Sequence, residues 1–469
     1  MTPLQIGILG CIALVLMLLS SMPVALAMGL VGIAGYAIVI KTSAAFSLLQ
    51  ADLFGAFADY GLSVIPLFVF MGQVCFHAGI SGRLFNAAYY WLGRLRGGMA
   101  MATVGACTVF GAICGSGPAT AATMAAVALP EMRKFNYSPA LAGGAVAAGG
   151  SLGMLIPPSV VFIVYGVLTE QSIGKLFLAG IVPGIVCALL FCVAIYLQCR
   201  RNPELGPKAP SSPWRDKFVS LLGISETIAL FALVMGGMMA GWFTPTEGAA
   251  VGAVGSILLA AMGGTVTWRM LWRAADETMR TTCMVIVIVA GATMFGHFLA
   301  VTTIPSELAK LLIGLPIPSF MTMLLILLFF LLAGCFVDAL ALVFLTIPII
   351  YPVISELGYN PIWFGVMIVL VTQMGVITPP VGVNVYVVAG VDRSIPLQTV
   401  FRGSIPFLIS LFAATVLLLI FPGLATWLPD RTDASGGQKA AAVLAVLPIL
   451  PVLLKLLLRN GLRQKKASI

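Results

Sequence analysis

Apolar runs of helical length follow one another along almost the whole chain: Leu4–Ser21, Val24–Ile40, Ser172–Leu197, Phe218–Ala240, Gly248–Met262, Cys283–Ala300, Ile405–Phe421 and Ala440–Leu458. Polar and charged positions are confined to short connections between them. A helix that crosses a bilayer needs roughly 20 apolar residues, so the pattern predicts about ten to thirteen membrane elements and no separate soluble domain. The first run has no basic stretch before it and a second run follows at once, so Leu4–Ser21 reads as a mature helix, unlike a cleavable signal peptide.

Two stretches break the pattern. "GSLGMLIPPS", Gly150–Ser159, and "MGVITPPVGV", Met374–Val383, each put paired prolines into apolar sequence. Sliding the chain over itself by 222 residues superposes them without a gap. Pro130, Tyr137, Pro139, Gly143, Gly153, Pro157 and Pro158 then align with Pro352, Tyr359, Pro361, Gly365, Gly375, Pro379 and Pro380. A shared set of Pro, Gly and Tyr at fixed spacing predicts an internal duplication.

Upstream of each Pro-Pro break lies a second irregularity. Ala100–Ile113 is apolar, Cys114-Gly115-Ser116-Gly117-Pro118 interrupts it, and Ala119–Leu129 resumes until Pro130. The second copy runs Phe320–Ala333, then Gly334-Cys335-Phe336-Val337-Asp338, then Ala339–Tyr351. At 1.5 Å per residue the first pair of arms is about 17–21 Å long, short of a hydrocarbon core of roughly 30 Å. The lengths predict helical hairpins that enter and leave on one side, their tips covered by protein or water. The same offset aligns Asp338 with Ser116. Each Pro pair removes two helix donors, while Gly149, Gly150 and Gly153 let the backbone leave helical geometry. Freed carbonyls, with the oxygens of Ser116, Ser151, Asp338, Thr372 and Thr378, are hard ligands of the kind Na⁺ takes, and half-helix N-termini favour an anion. Broken helices in duplicated halves point to the binding site of a secondary transporter.

Composition agrees with a membrane protein: 60% of residues are hydrophobic, 9% are charged, and mean hydropathy is +1.09. The net charge of +9 does not read as a nucleic-acid surface, because the cations sit in short loops where Lys and Arg set membrane orientation. The densest group, Arg200, Arg201, Lys208, Arg215 and Lys217 in a Pro-rich connection, is expected to be cytoplasmic, as is the tail with Arg459, Arg463, Lys465 and Lys466. Nine cysteines without CxxC spacing and only two His argue against a disulfide framework or a zinc site.

At "GSGPATAATMAAVALPEMRKFNYSPALAGGAVAAGGSLGMLIPPSVVFIVYGVLTEQSIGKLFLAGIVPG" (Gly115–Gly184) and "FVDALALVFLTIPIIYPVISELGYNPIWFGVMIVLVTQMGVITPPVGVNVYVVAGV" (Phe336–Val391) the chain resembles the large membrane subunit of tripartite ATP-independent periplasmic (TRAP) transporters, the dicarboxylate-type M subunit. The resemblance covers residues 1 to about 430. It implies an all-α integral membrane protein of inverted-repeat, elevator type, with two re-entrant helical hairpins and two discontinuous helices. It implies Na⁺-driven import of a small organic acid such as a dicarboxylate or sialic acid in the bacterial inner membrane, with Na⁺ as the coupling ion and no other cofactor. Two partners follow: a small membrane subunit of four helices and a periplasmic substrate-binding protein.

Carried over by position, the first Na⁺ site uses Gly115, Ser116, Gly117, Gly149, Gly150, Ser151 and Pro157, and the second uses Gly334, Asp338, Thr372, Gly375, Thr378 and Pro379. Substrate lies between the tips, near Pro158, Ser159, Pro380 and Asn384. The implied organisation is scaffold helices in 1–97, the first hairpin and broken helix in 98–170, scaffold with the basic loop in 171–282, a linking helix and arm in 283–318, the second hairpin and broken helix in 319–395, a closing helix in 396–430, and an added helix and tail in 431–469. The first tip departs from the family, which often reads Gly-Ser-Ser where Gly117-Pro118 follows Ser116 here. The run Ala440–Leu458 is an addition that the family pattern does not account for.

Several single residues carry two readings. Asp338 is a cation ligand inside the membrane or the N-cap of the helix from Ala339, and the two are compatible. His297 reads as a hydrogen-bonded interior residue and Glu131-Met132-Arg133-Lys134 as the solvated base of the first hairpin. Thr244-Pro245-Thr246-Glu247 reads as a helix cap. The segment with Arg83, Phe85, Tyr89, Tyr90, Trp91, Arg94 and Arg96 reads as an interfacial amphipathic helix, with Trp268–Met279 its equivalent in the second half. A stand-alone ion-coupled carrier differs from the tripartite reading only in needing no binding protein. A membrane enzyme using Asp338, Asp392 or His297 is disfavoured, since paired carboxylates, a Ser-His arrangement and HExxH are all missing.

Overall fold

In the computed structural model the described residues are 2–432 apart from 21, 209–212 and 315–316. All their regular elements are helices. The tail and the run Ala440–Leu458 lie outside the described residues.

The apolar runs become Pro3–Leu19, Val24–Val39, Ile173–Arg201, Trp214–Met239, Pro245–Met262, Trp268–Val301 and Leu397–Ile420. Five helices among the described residues are long and apolar enough to cross a membrane, or six if Thr42–Ala58 and Gly61–His77, bent by 49°, form one span. This is fewer than the about ten to thirteen membrane elements expected; further apolar helices, among them Gly98–Cys114, Val160–Thr169, Ser319–Gly334 and Pro361–Gly375, are shorter than a full span.

The duplication is written into the helix boundaries. Gly117–Lys134 and Ala339–Glu356 are both 18 residues long and begin and end at positions related by the 222-residue offset. Their N-caps are Ser116 and Asp338. Pro139–Ser151 and Pro361–Gly375 both start at their repeat-related proline, where a missing N–H costs nothing. Val160–Thr169 and Val383–Val391 complete the two broken helices.

Gly98–Cys114 and Gly117–Lys134 fold back on each other. The Met99 N–H, at the start of the first arm, donates to the Tyr137 hydroxyl at 3.2 Å, just beyond the end of the second. Ser319–Gly334 and Ala339–Glu356 form the second helix pair. The two repeats interlock: Val160–Thr169 packs on Ala339–Glu356, and Val383–Val391 packs on Gly117–Lys134. Polar ties cross the same seam. Gln171 donates to the Tyr351 hydroxyl at 3.1 Å, and Tyr165 to the Pro361 carbonyl at 2.7 Å. In the opposite pairing the Arg133 guanidinium meets Asp392 at 2.5 Å and also donates to Ser394.

Four expectations are corrected. Pro130 does not interrupt the second arm: it sits inside a helix that continues to Lys134, where the hairpin was expected to end, and Pro348 and Pro352 lie inside Ala339–Glu356. Each proline deletes one hydrogen bond, which a well-packed helix tolerates. Trp268–Met279 is not a separate interfacial helix but the start of the 34-residue helix Trp268–Val301. The divisions placed at residues 282/283 and 430/431 therefore fall inside Trp268–Val301 and Gly423–Thr432. Glu131 and Lys134 are a solvated pair at 2.7 Å, whereas Arg133 is engaged across the repeat seam.

Candidate functional site

Each hairpin tip is pressed against its own broken helix by small residues. Gly115 adopts φ +65°, and a Cβ there would lie 2.7 Å from the Pro158 carbonyl oxygen, so both the turn and the close approach require glycine. A Cβ on Gly153 would meet the Ser116 carbonyl at 3.1 Å. In the second repeat a Cβ on Gly375 would lie 2.3 Å from the Gly334 carbonyl carbon, and the Val381 N–H donates to the Cys335 carbonyl at 3.3 Å. Gly115, Ser116 and Pro158 thus come together, as do Gly334, Thr372 and Gly375.

Three of the hydroxyls expected to ligate share one habit. Ser151 donates to the Ala148 carbonyl at 2.7 Å, Thr372 to Val369 at 2.9 Å and Thr378 to Met374 at 2.6 Å. Each proton is spent on the residue's own helix, and the oxygen lone pairs remain. Gly149 and Gly150 pack against Cys107 and Ala121 of the first hairpin. Pro157 is buried and Pro379 exposed.

The two tips meet. Ser116, Gly117, Asp338 and Ala339 line one cavity of about 390 Å³, closed by Met154 behind the first break and by Gln73, Thr281 and Met284 from outside the repeats. Two helix N-termini, at Gly117 and Ala339, open into it and supply partial positive charge. Asp338 caps its helix by accepting from the Leu340 N–H at 3.1 Å. Ser116 makes no cap hydrogen bond, so its hydroxyl is uncommitted. Among the described lining residues Asp338 is the only charged side chain. An anion held here would meet helix ends, with no Lys or Arg among the described lining residues.

Other expected site residues are elsewhere. Ser159 is fully buried and donates to the Met154 carbonyl at 2.5 Å. Asn384 is also fully buried and donates to the Ala147 carbonyl of the first broken helix at 3.0 Å. Pro158 is buried and Pro380 exposed. These four shape the breaks and do not line the cavity. No hydrogen bond among the described residues joins Asp338 to Thr372 or Thr378. A larger apolar groove, about 900 Å³ between Pro3–Leu19 and Ile304–Ile313, has no convergent polar groups, and its Glu307 and Lys310 satisfy each other at 2.8 Å.

Gln73, Thr281 and Met284 were not legible as site residues, because their nearness to the tips is purely tertiary. Gln73 did carry a signal: it is the one amide in the apolar helix Val64–His77. His297 is hydrogen-bonded as expected, to Asp52 at 3.2 Å, but its side chain is exposed and not interior, and the second His, His77, pairs with Glu277 at 3.3 Å. The capping box at Thr244 and Glu247 is formed in full.

The family model for the "Tripartite ATP-independent periplasmic transporter, DctM component" matches residues 11–424. The chain belongs to this family of transporter permeases. It is 33% identical over 415 residues to the sialic acid TRAP transporter large permease protein SiaM of Vibrio cholerae, covering 88% of this chain and 96% of that one. It is 35% identical over 383 residues to the C4-dicarboxylate TRAP transporter large permease protein DctM of Pseudomonas aeruginosa, covering 81% and 89%. The fold is similar to that of the Alcanivorax borkumensis YdaH transporter, with a TM-score of 0.60 at 15% identity over 92% of this chain and 100% of that one. DctM-family membership makes the protein a multi-pass permease and not an enzyme.

Proposed function

We propose that this chain is the large permease subunit of a secondary active transporter in the bacterial inner membrane. It imports a small organic acid, handed over by a periplasmic substrate-binding protein, and works beside a small four-helix membrane subunit. Sialic acid and C4-dicarboxylates, the cargoes of the two relatives, are the first candidates. Inward Na⁺ movement drives the step.

The observation that carries this reading is the convergence of the repeat-related N-caps Ser116 and Asp338 on one cavity. Substrate sits between the tips, its carboxylate facing the helix N-termini at Gly117 and Ala339. One Na⁺ lies between the first tip and its break, at Gly115, Ser116, Gly117, Gly149, Gly150, Ser151 and Pro157. The other lies between the second tip and its break, at Gly334, Asp338, Thr372, Gly375, Thr378 and Pro379. Pro158, Ser159, Pro380 and Asn384 hold the breaks open behind the substrate. Because no cationic side chain is among the described lining residues, bound Na⁺ offsets the anion's charge, and coupling follows from that charge balance. The interlocked hairpins and broken helices move as one body against the long helices, the hairpins entering the membrane from opposite faces.

The test is uptake of labelled sialic acid or succinate into proteoliposomes holding this chain and its small subunit, with binding protein present or omitted and Na⁺ gradient imposed or absent. Uptake that needs both is expected. Uptake without Na⁺ overturns the coupling, and Na⁺-driven uptake without binding protein favours a stand-alone carrier.

A further inference from the structure

The cavity between the tips has a third wall, and that wall belongs to neither repeat. Gln73 lies on Val64–His77, whose Gly72 sits flush on the first tip: a Cβ there would be 3.0 Å from the Cys114 Cα. Gln73 is half-buried and makes no hydrogen bond among the described residues. An amide left unpaired in an apolar helix is costly, so its place on the wall of a mostly apolar cavity calls for a polar occupant. Across from it Thr281 spends its proton on the Glu277 carbonyl at 3.0 Å and offers only lone pairs. The donor on this wall is therefore the Gln73 N–H₂.

We infer that Gln73 is a substrate contact made in one position of the transport cycle only: its amide donates to the carboxylate of the organic acid while the tips stand beside Val64–His77, and the bond is lost when they move away. The inference rests on the proposed location of substrate between the tips. It adds a residue of the stationary wall whose effect on affinity is confined to one side of the membrane. A packing residue would not behave in this way, since a packing defect follows the protein through both positions.

The experiment uses the full complex in proteoliposomes with whichever of labelled N-acetylneuraminate or succinate the wild type accumulates. Two half-saturation values are measured: for external substrate in Na⁺-driven uptake, and for internal unlabelled substrate in stimulating exchange. Losing one hydrogen bond to a charged group is expected to raise one value about tenfold in Gln73→Leu, and to leave the other within about twofold. Gln73→Glu, which keeps the size but presents a negative charge to an anion, is expected to raise the same value further, with thermal unfolding unchanged. Two unchanged values in Gln73→Leu overturn the inference, and so do two values that shift equally. A wild type that takes up neither probe under a Na⁺ gradient overturns the underlying reading instead, and the inference with it.

Discussion

Asp338 performs two tasks that one pair of substitutions separates. Its carboxylate oxygen accepts from the Leu340 N–H at 3.1 Å and so caps Ala339–Glu356, and its charge stands in the cavity beside the first tip. Asn keeps an oxygen acceptor and caps about as well as Asp, whereas Ala loses the cap at about 0.5–2 kcal/mol. Asp338→Asn is therefore expected to unfold at the wild-type temperature and Asp338→Ala below it. A charge-assisted contact to a cation is worth about 1.5–3 kcal/mol, so both variants should raise the half-saturating Na⁺ concentration for uptake by at least about tenfold. The assay is a Na⁺ titration of proteoliposome uptake beside a thermal unfolding scan. Wild-type Na⁺ dependence in Asp338→Asn would reduce Asp338 to a cap and remove it from the ion site.

Gly375→Ala places a methyl group 2.3 Å from the Gly334 backbone, which has no side chain to yield; a loss of about 1–3 kcal/mol and of uptake is expected. Gly296→Ala, with nothing within 4 Å of the new Cβ, should be neutral or stabilising by up to about 1 kcal/mol in the same unfolding assay. Partial burial pushes the Asp392 carboxyl up, but the hydroxyl and N–H of Ser394 and the Arg133 guanidinium outweigh it and hold the group below its ordinary range. A depressed value stabilises above the ordinary carboxylate pKa of about 4 and is lost as pH falls through the depressed one. Asp392→Asn should therefore cost no more than about 1 kcal/mol at neutral pH, because Arg133 is 60% exposed, and the deficit should vanish under strong acid. Tyr165→Phe strands the half-buried Pro361 carbonyl, and about 1 kcal/mol of destabilisation in thermal unfolding is expected.

The repeat was legible because punctuation residues carry it. Proline and glycine mark where a helix starts or breaks whatever surrounds them, so the offset that aligns Pro139 with Pro361 also aligns the second arms and their N-caps. Helix ends set by packing were less legible, as Pro130 inside Gly117–Lys134 demonstrates. Contacts between the halves left no trace in the sequence. Arg133 and Asp392 lie 259 positions apart, and neither residue type announces the other. Gln171 and Tyr351, 180 positions apart, are the same case in neutral form. The tips themselves were named from sequence, but not the wall of Gln73, Thr281 and Met284 that closes the cavity over them, because a helix outside the duplication shares no register with it.

The central claim, that the cavity between Ser116 and Asp338 holds the substrate, is tested most directly by thiol labelling at the first tip. Ser116→Cys in a cysteine-free background is treated with a small maleimide in proteoliposomes, with Na⁺, with substrate, with both and with neither. Slower labelling that needs Na⁺ and substrate together is the expected result. Labelling at one rate under all four conditions would contradict the claim.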